Sequence, residues 1–284
     1  MGLAISRSSL TAFLAIFALI PPNLRADDHP EAWIMAMREV HQRFTGQPGT
    51  FAQFGDSITV SMAFWAPLSQ EPKGLSPELA TDRRLVKEYQ RPECWRDWKG
   101  PDFGSNGGMT IRWADEHLAT WLQKLNPEVA VVMFGTNDLS YVPSEEYEAK
   151  TRAVVHKCYE NGTIPLLTTI PPRHGLEDRS AEFAEIVRKI AREMKTPLID
   201  YHAEILRRRP DDWNGALPQF RDAPGDEYNV PTLVARDGVH PSNPRNFQDY
   251  SDRSQSHNGY VLRNALTLKI YASIIRNVLR PTSP

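Results

Sequence analysis

Two short apolar runs in the middle of the chain restrict its fold more than any other feature. Residues 129–134 and 164–170 are almost wholly apolar, as expected of strands that are buried on both faces. A segment with helical spacing follows each run, over 145–160 and 180–194, and a further strand is predicted at 197–200. Strands that alternate with helices in this way favour a parallel sheet covered by helices on both faces.

The rest of the chain fits a single α/β domain. Helices are predicted over residues 31–44, 76–90, 111–125 and 259–279, and a short strand over 50–55. Residues 210–236 form a polar stretch that is longer than a usual connection, and loops of such length are often functional. We find no internal repeat and no linker that would divide the sequence.

The first 26 residues predict a secretory signal peptide. A basic residue, Arg7, precedes a mostly apolar run over residues 10–20, which two prolines end, and the small residue Ala26 follows. The run is shorter than the roughly 20 residues that a membrane-spanning helix needs, so an uncleaved anchor is the weaker interpretation. We therefore expect a mature domain of residues 27–284 that is secreted or periplasmic and has no stable membrane span.

Composition and cysteine content narrow the choice of partners. The formal net charge of −2 gives no indication of nucleic acid or an anionic membrane as a partner. The two cysteines, Cys94 and Cys158, are able to pair after export or to stay as thiols, and the sequence does not decide between these states. His156 lies near Cys158, but no further ligand surrounds them, so we predict neither a metal nor a cofactor. The sequence does not predict an oligomeric state.

Four short motifs are predicted to meet at one edge of the sheet. A serine becomes a nucleophile when a base accepts its proton, a third group orients that base and nearby donors stabilise the oxyanion. Parallel sheets place such sites beyond the carboxyl ends of their strands. The four motifs that meet these needs are Gly55-Asp56-Ser57 after the first strand, Ser105-Asn106-Gly107-Gly108 before a helix, Gly135-Thr136-Asn137-Asp138 after the second strand, and Asp237-Gly238-Val239-His240 before the last helix.

Together and in this order, the four motifs resemble the conserved blocks of the SGNH, or GDSL-type, hydrolase superfamily. They span residues 55–240, which is nearly the whole mature domain. The chain departs from the family pattern at Ile58, where the family name has leucine, and it departs further around Gly108. The stretch 241–258 is also longer and more polar than the resemblance implies, so we do not transfer a substrate from the family.

The resemblance implies a three-layer α/β/α sandwich with a parallel sheet of about five strands in a flavodoxin-like order. It also implies roles for the matching residues: Ser57 as nucleophile, His240 as general base, Asp237 as the carboxylate that orients it, and the backbone N–H of Ser57, the backbone N–H of Gly108 (or Gly107) and the Asn137 side chain as the oxyanion hole. Apart from the resemblance, Asp56 and Asp138 lie in tight turns and are predicted to hold them by accepting hydrogen bonds from backbone N–H groups.

These observations predict metal-independent hydrolysis of carboxylic esters, with acetyl or another short acyl group on a polysaccharide as the favoured substrate. Possible substrate contacts are Trp95, Trp98 and Arg173. Packing against the core is the stronger interpretation for the tryptophans, and a solvated loop is the stronger one for Arg173. An acyltransferase, or a lipid-directed thioesterase or phospholipase, would use the same residues. The alternative from a different class is a non-catalytic glycan-binding protein on a hydrolase scaffold.

Overall fold

A four-stranded parallel sheet forms the centre of the domain. The structure is a computed structural model that describes residues 30–280, so the predicted signal peptide over residues 1–26 lies outside the described residues. The strands are β1 (Phe51–Gly55), β2 (Val129–Met133), β3 (Ile164–Thr168) and β4 (Leu198–Ile199), and they pair in the order β1-β2-β3-β4. All residues of the first three strands are buried, which explains their nearly continuous apolar sequence.

Helices cover both faces of this sheet and complete the expected three-layer sandwich. In chain order the α-helices are α1 (Pro30–His41), α2 (Ser57–Val60), α3 (Pro77–Tyr89), α4 (Ile111–Leu125), α5 (Ser144–Asn161), α6 (Glu177–Met194), α7 (Tyr201–Arg208), α8 (Asp252–Gln255) and α9 (Gly259–Ile274). The helices α4, α5 and α6 pack side by side in one layer. In the other layer α3 packs on α9, and α1 packs on a π-helix, Ile275–Leu279, that continues α9.

The sheet is one strand smaller than the sequence resemblance implied. Where a fifth strand would extend the sheet beyond β1, the described chain makes one isolated parallel bridge, between Gly55 and Ser105. Two hydrogen bonds support it, from the Gly55 N–H to the Gly104 carbonyl at 3.0 Å and from the Asn106 N–H to the Gly55 carbonyl at 3.1 Å. A 3₁₀ turn that begins at Pro101 and a left-handed Gly104 (φ +86°) precede the bridge, and this backbone is incompatible with a regular strand.

The two cysteines are separate buried thiols. The Cys94 Sγ accepts a hydrogen bond from the Phe51 N–H at 3.3 Å, beside β1, whereas Cys158 lies on the inner face of α5. Burial raises the pKa of each thiol to about 12. Of the two states that the sequence left open, the structure therefore shows free thiols.

The carboxyl ends of β1 and β2 lead directly into two of the four motifs. Gly55 ends β1 immediately before Asp56 and Ser57, and the Gly135–Asp138 segment follows β2. The loop after β3 reaches the last motif, because the His174 N–H donates to the Gly238 carbonyl at 2.9 Å. Among the helices of residues 30–280, none combines the length and the apolar character that crossing a membrane requires.

Candidate active site

The serine of the first motif begins a single helical turn. Ser57 is the first residue of α2, and the Asp56 side chain caps this helix by accepting a hydrogen bond from the Ile58 N–H at 3.0 Å. A Cβ atom on Gly55 would lie 2.2 Å from the Thr59 Oγ1 atom, so only glycine lets the turn fold back this closely on the end of β1. The Ser57 side chain is half-buried at this edge of the sheet.

The structure brings Ser57, His240 and Asp237 into one hydrogen-bonded chain. The Ser57 Oγ atom lies 2.8 Å from the His240 Nε2 atom, and the His240 Nδ1 atom lies 2.6 Å from the Asp237 Oδ2 atom. The other Asp237 oxygen accepts from the backbone N–H groups of Val239 at 2.9 Å and His240 at 3.0 Å. Because the carboxylate accepts the Nδ1 proton, Nε2 is left to accept the proton of the Ser57 hydroxyl.

The electrostatics of this chain favour an ionised aspartate beside a basic histidine. The hydrogen bond to Asp237 raises the pKa of His240 and outweighs burial, which acts in the opposite direction. Burial acts to raise the pKa of Asp237, but the hydrogen bonds from the His240 ring and from two backbone N–H groups leave this pKa lowered. His240 is therefore a stronger proton acceptor than an isolated imidazole, as a general base requires.

The segments predicted to supply the oxyanion hole contain free donors. A Cβ atom on Gly107 would lie 4.0 Å from the Ser57 Cβ, and Gly108 adopts the left-handed φ of +75° with open space around it. The Asn137 side chain donates one hydrogen bond to the Met109 carbonyl at 3.0 Å and keeps a second N–H. Within residues 30–280, the backbone N–H groups of Ser57, Gly107 and Gly108 make no hydrogen bond. Each of the three predicted segments thus has an N–H group that is free to donate.

Two further buried carboxyl groups hold the ends of these segments. Asp56 caps α2, and the Asp138 Oδ1 atom accepts a hydrogen bond from the Ile111 N–H at 2.8 Å, as predicted from their tight turns. The other oxygen of each carboxyl group has no partner among the described residues. Burial is the largest cause that raises the pKa of Asp56 to about 6 and that of Asp138 to about 7.

The structure corrects part of the predicted set of substrate contacts. Trp95 is only 6% exposed and stacks on Trp65 with ring centroids 5.1 Å apart, so the prediction of a substrate contact is wrong for this residue. Both rings belong to the hydrophobic core, which agrees with the interpretation that Trp95 packs against the core. Trp98 is half-buried against the same core. Arg173 is also half-buried and donates a hydrogen bond to the Thr136 carbonyl at 2.5 Å, which ties the loop after β3 to the loop after β2.

A cavity of about 390 Å³ opens beside Ser57 and His240. Two long loops, residues 210–236 and 241–258, supply most of its wall through polar side chains: Asp226, Tyr228, Asn229, Asn243, Arg245 and Gln248. The two loops are joined, because the Asn243 N–H donates to the Tyr228 carbonyl at 2.8 Å and the Arg245 N–H donates to the Asn229 side chain at 3.2 Å. The length and polarity of the loops were the sequence signal for this wall, but no motif indicated its individual residues.

Tyr228 also contacts the histidine of the site. Its ring meets the His240 ring edge-on, with centroids 5.9 Å apart and an interplanar angle of 67°.

In the part of the chain that the structure describes, no three His, Cys, Asp or Glu side chains gather as they would around a metal ion. The fold and this site together define an α/β protein of the SGNH hydrolase class.

Sequence comparison identifies the family. A model of the GDSL-like lipase/acylhydrolase family matches residues 54–244, which is more than half of the chain and includes all four motifs described above. The chain therefore belongs to the GDSL-like lipase/acylhydrolase family, a family of ester-hydrolysing enzymes. No curated protein matches the sequence.

Solved structures of similar fold come from several bacteria. A protein of the lipolytic G-D-S-L family from Desulfitobacterium hafniense is 17% identical, with a TM-score of 0.50, and the match covers 78% of this chain and 99% of that protein. A lipase/acylhydrolase from Enterococcus faecalis is 18% identical (TM-score 0.47; 78% and 95% covered). A catalytic mutant of an acetylxylan esterase from Geobacillus stearothermophilus is 17% identical (TM-score 0.46; 83% and 96% covered). At this identity the first of these likenesses supports the fold alone.

Proposed function

We propose that this protein is a serine esterase that removes short acyl groups, acetyl above all, from a hydroxylated substrate such as a carbohydrate. The single observation that carries the proposal is the hydrogen-bonded chain from Ser57 through His240 to Asp237. A carboxylate, an imidazole and a hydroxyl in this order activate a serine for acyl transfer. The glycan-binding alternative gives no reason for such a chain.

In the proposed reaction, Ser57 attacks the ester carbonyl while His240 accepts the hydroxyl proton through Nε2. The oxyanion then accepts hydrogen bonds from the free N–H groups of Ser57, Gly107 or Gly108, and Asn137. His240 returns its proton to the leaving alcohol, and water repeats the sequence on the acyl-enzyme. Asp237 remains ionised and stabilises the imidazolium that forms in each half of the reaction.

The cavity supports a hydroxylated alcohol as the substrate. Its wall of carboxylate, amide, guanidinium and phenol groups offers hydrogen bonds that match sugar hydroxyls, whereas a long acyl chain binds in apolar grooves. We therefore favour hydrolysis of carbohydrate esters over a lipid-directed activity. The signal peptide predicted for residues 1–26 adds the proposal that the enzyme works outside the cytoplasm, where polysaccharides are available.

The test compares the mature protein with Ser57→Ala in the presence of a chelator. We expect hydrolysis of p-nitrophenyl acetate to exceed that of the octanoate ester, acetate to be released from acetylated polysaccharide, and Ser57→Ala to lose about 10⁴-fold or more in kcat. A fluorophosphonate probe should label the wild type and not this variant.

Ser273→Ala is the matched control, because Ser273 is a half-buried serine of α9 that does not line the cavity. It should keep both labelling and hydrolysis. Equal activity of wild type and Ser57→Ala, or no labelling of either, would remove the basis of the proposal and favour glycan binding.

A further inference from the structure

Two cationic side chains lie beneath the turn that carries Ser57. Arg263, on α9, is fully buried and donates one hydrogen bond to the Ile58 carbonyl at 2.9 Å and another to the Thr59 Oγ1 atom at 3.0 Å. The helix α2 ends after one turn, so its carbonyl groups have no further helical N–H to accept from. The guanidinium of Arg263 supplies an N–H donor to the Ile58 carbonyl that a further helical turn would otherwise supply.

Lys99 holds the same turn from the loop between α3 and α4. Its Nζ atom donates to the Thr59 carbonyl at 2.8 Å and to the Ser61 carbonyl at 3.2 Å, and to the Gln53 side chain of β1 at 2.9 Å. The ring of Phe64 lies against both cations, 3.7 Å from the Arg263 guanidinium carbon and 5.5 Å from the Lys99 nitrogen. Together these two side chains, here called the cationic support, connect α9 and β1 to the nucleophile turn.

Burying these charges is costly, and neutral side chains could satisfy the same carbonyl groups. In the described part of the chain, all the hydrogen bonds of the cationic support go to uncharged acceptors. Burial lowers the pKa of Lys99 to about 7 and that of Arg263 to about 10, so each charge is disfavoured where it lies. The three acceptors around the Lys99 Nζ atom nevertheless match the three N–H groups of the charged ammonium, and we take Lys99 as protonated on this geometry. Tyr201, Tyr260 and Asp56 act to raise the pKa of Arg263, and of these buried groups Asp56 is the carboxyl. A buried charge kept at such a cost is expected where negative charge develops during the reaction.

We propose that Lys99 and Arg263 are positioning residues, which fix the Ser57 turn and place positive charge beneath it as the anionic transition state forms. This inference rests on the proposed esterase function. It requires that loss of the support lowers kcat more than it changes KM, because most of the cavity wall comes from residues 226–248, to which neither cation is hydrogen-bonded.

The experiment measures kcat, KM and the melting temperature for Lys99→Met, Lys99→Gln and Arg263→Met with p-nitrophenyl acetate. We expect Lys99→Met to lose about 10- to 10²-fold in kcat with little change in KM, as a small misplacement of a nucleophile does. Lys99→Gln keeps a donor but not the charge, so its kcat should lie between those of the wild type and Lys99→Met. Arg263→Met should lose more, and if it fails to fold, the Lys99 series decides.

The controls are Lys124→Met and Arg179→Met, which remove matched side chains elsewhere. Lys124 also lies over a phenyl ring, 4.4 Å from the Phe103 centroid, and donates to a carbonyl, whereas Arg179 lies 4.5 Å from the Phe183 centroid and donates to a carbonyl as well. Neither control should change kcat. The inference fails if folded Lys99→Met keeps the wild-type kcat, or if Lys124→Met loses as much. An inactive wild type would instead contradict the proposed function.

Discussion

The buried carboxyl group of Asp138 predicts a stability change that grows with pH. Its folded-state pKa of about 7 lies above the ordinary value of 3.8, so between these values the folded protein binds more protons than the unfolded chain. The contribution of Asp138 to the stability of the wild type therefore falls as the pH rises through this window. Asp138→Asn removes the ionisation and keeps an acceptor for the Ile111 N–H.

The size of the effect follows from the two pKa values. The folded and unfolded pKa values of Asp138 differ by roughly three, and each unit corresponds to about 1.4 kcal/mol. Ionisation of Asp138 therefore lowers the unfolding free energy of the wild type by about 4 kcal/mol at pH 8 but by less than half of that at pH 5. The amide group that Asp138→Asn introduces would lie where the second carboxyl oxygen has no partner, at a cost of about 1–3 kcal/mol that does not depend on pH. Relative to the wild type, the variant should therefore gain about 2–3 kcal/mol of unfolding free energy between pH 5 and pH 8.

Urea denaturation at pH 5, 6, 7 and 8 would measure this gain. The control is Asp222→Asn, which removes the same charge from an exposed position and should show no such trend. A difference between Asp138→Asn and the wild type that stays constant across this range would refute the reasoning. It would mean that Asp138 is ionised in the folded protein at little cost, in spite of its burial.

Three further substitutions test the site. Asp237→Asn should lower kcat by about 10⁴-fold, and it should move the acid limb of kcat/KM to lower pH because Asp237 is the main cause of the raised His240 pKa. Asn137→Ala should lower kcat about 10²- to 10³-fold with little change in melting temperature. Gly238→Ala should lower both activity and melting temperature, because Gly238 has a φ of +71° and an added Cβ would lie 2.5 Å from the His174 Cβ. A fully active, stable Gly238→Ala would contradict this account of the loop.

Local patterns explain what the sequence predicted well. The helix over Ile111–Leu125 was predicted with the bounds that the structure shows, since its buried side chains recur at helical spacing and Asn126 ends it in the left-handed region. The strands β2 and β3 were found from their apolar runs. Ser57, Asp237 and His240 could be proposed together because each lies in a short motif at the end of an element, and the structure places them within hydrogen-bonding distance.

Contacts between distant parts of the chain explain what was missed. Lys99 and Arg263 have no motif, and they reach the Ser57 turn only because a loop and the last helix fold beneath it. The fifth strand was expected from the family, yet the backbone around Gly104 reduces it to one bridge. The short helix α7, over Tyr201–Arg208, was not predicted because its eight residues are fewer than the roughly 11 to 18 over which helical spacing is recognised.

The separate, buried positions of Cys94 and Cys158 bear on how this protein can be made. Neither thiol takes part in a crosslink, and the raised pKa of each leaves little thiolate to react with oxidants or alkylating agents. Assembly of the domain therefore needs no disulfide isomerase and no oxidising compartment. The domain should fold in the reducing cytoplasm of an expression host, and reducing agents should leave the folded enzyme intact.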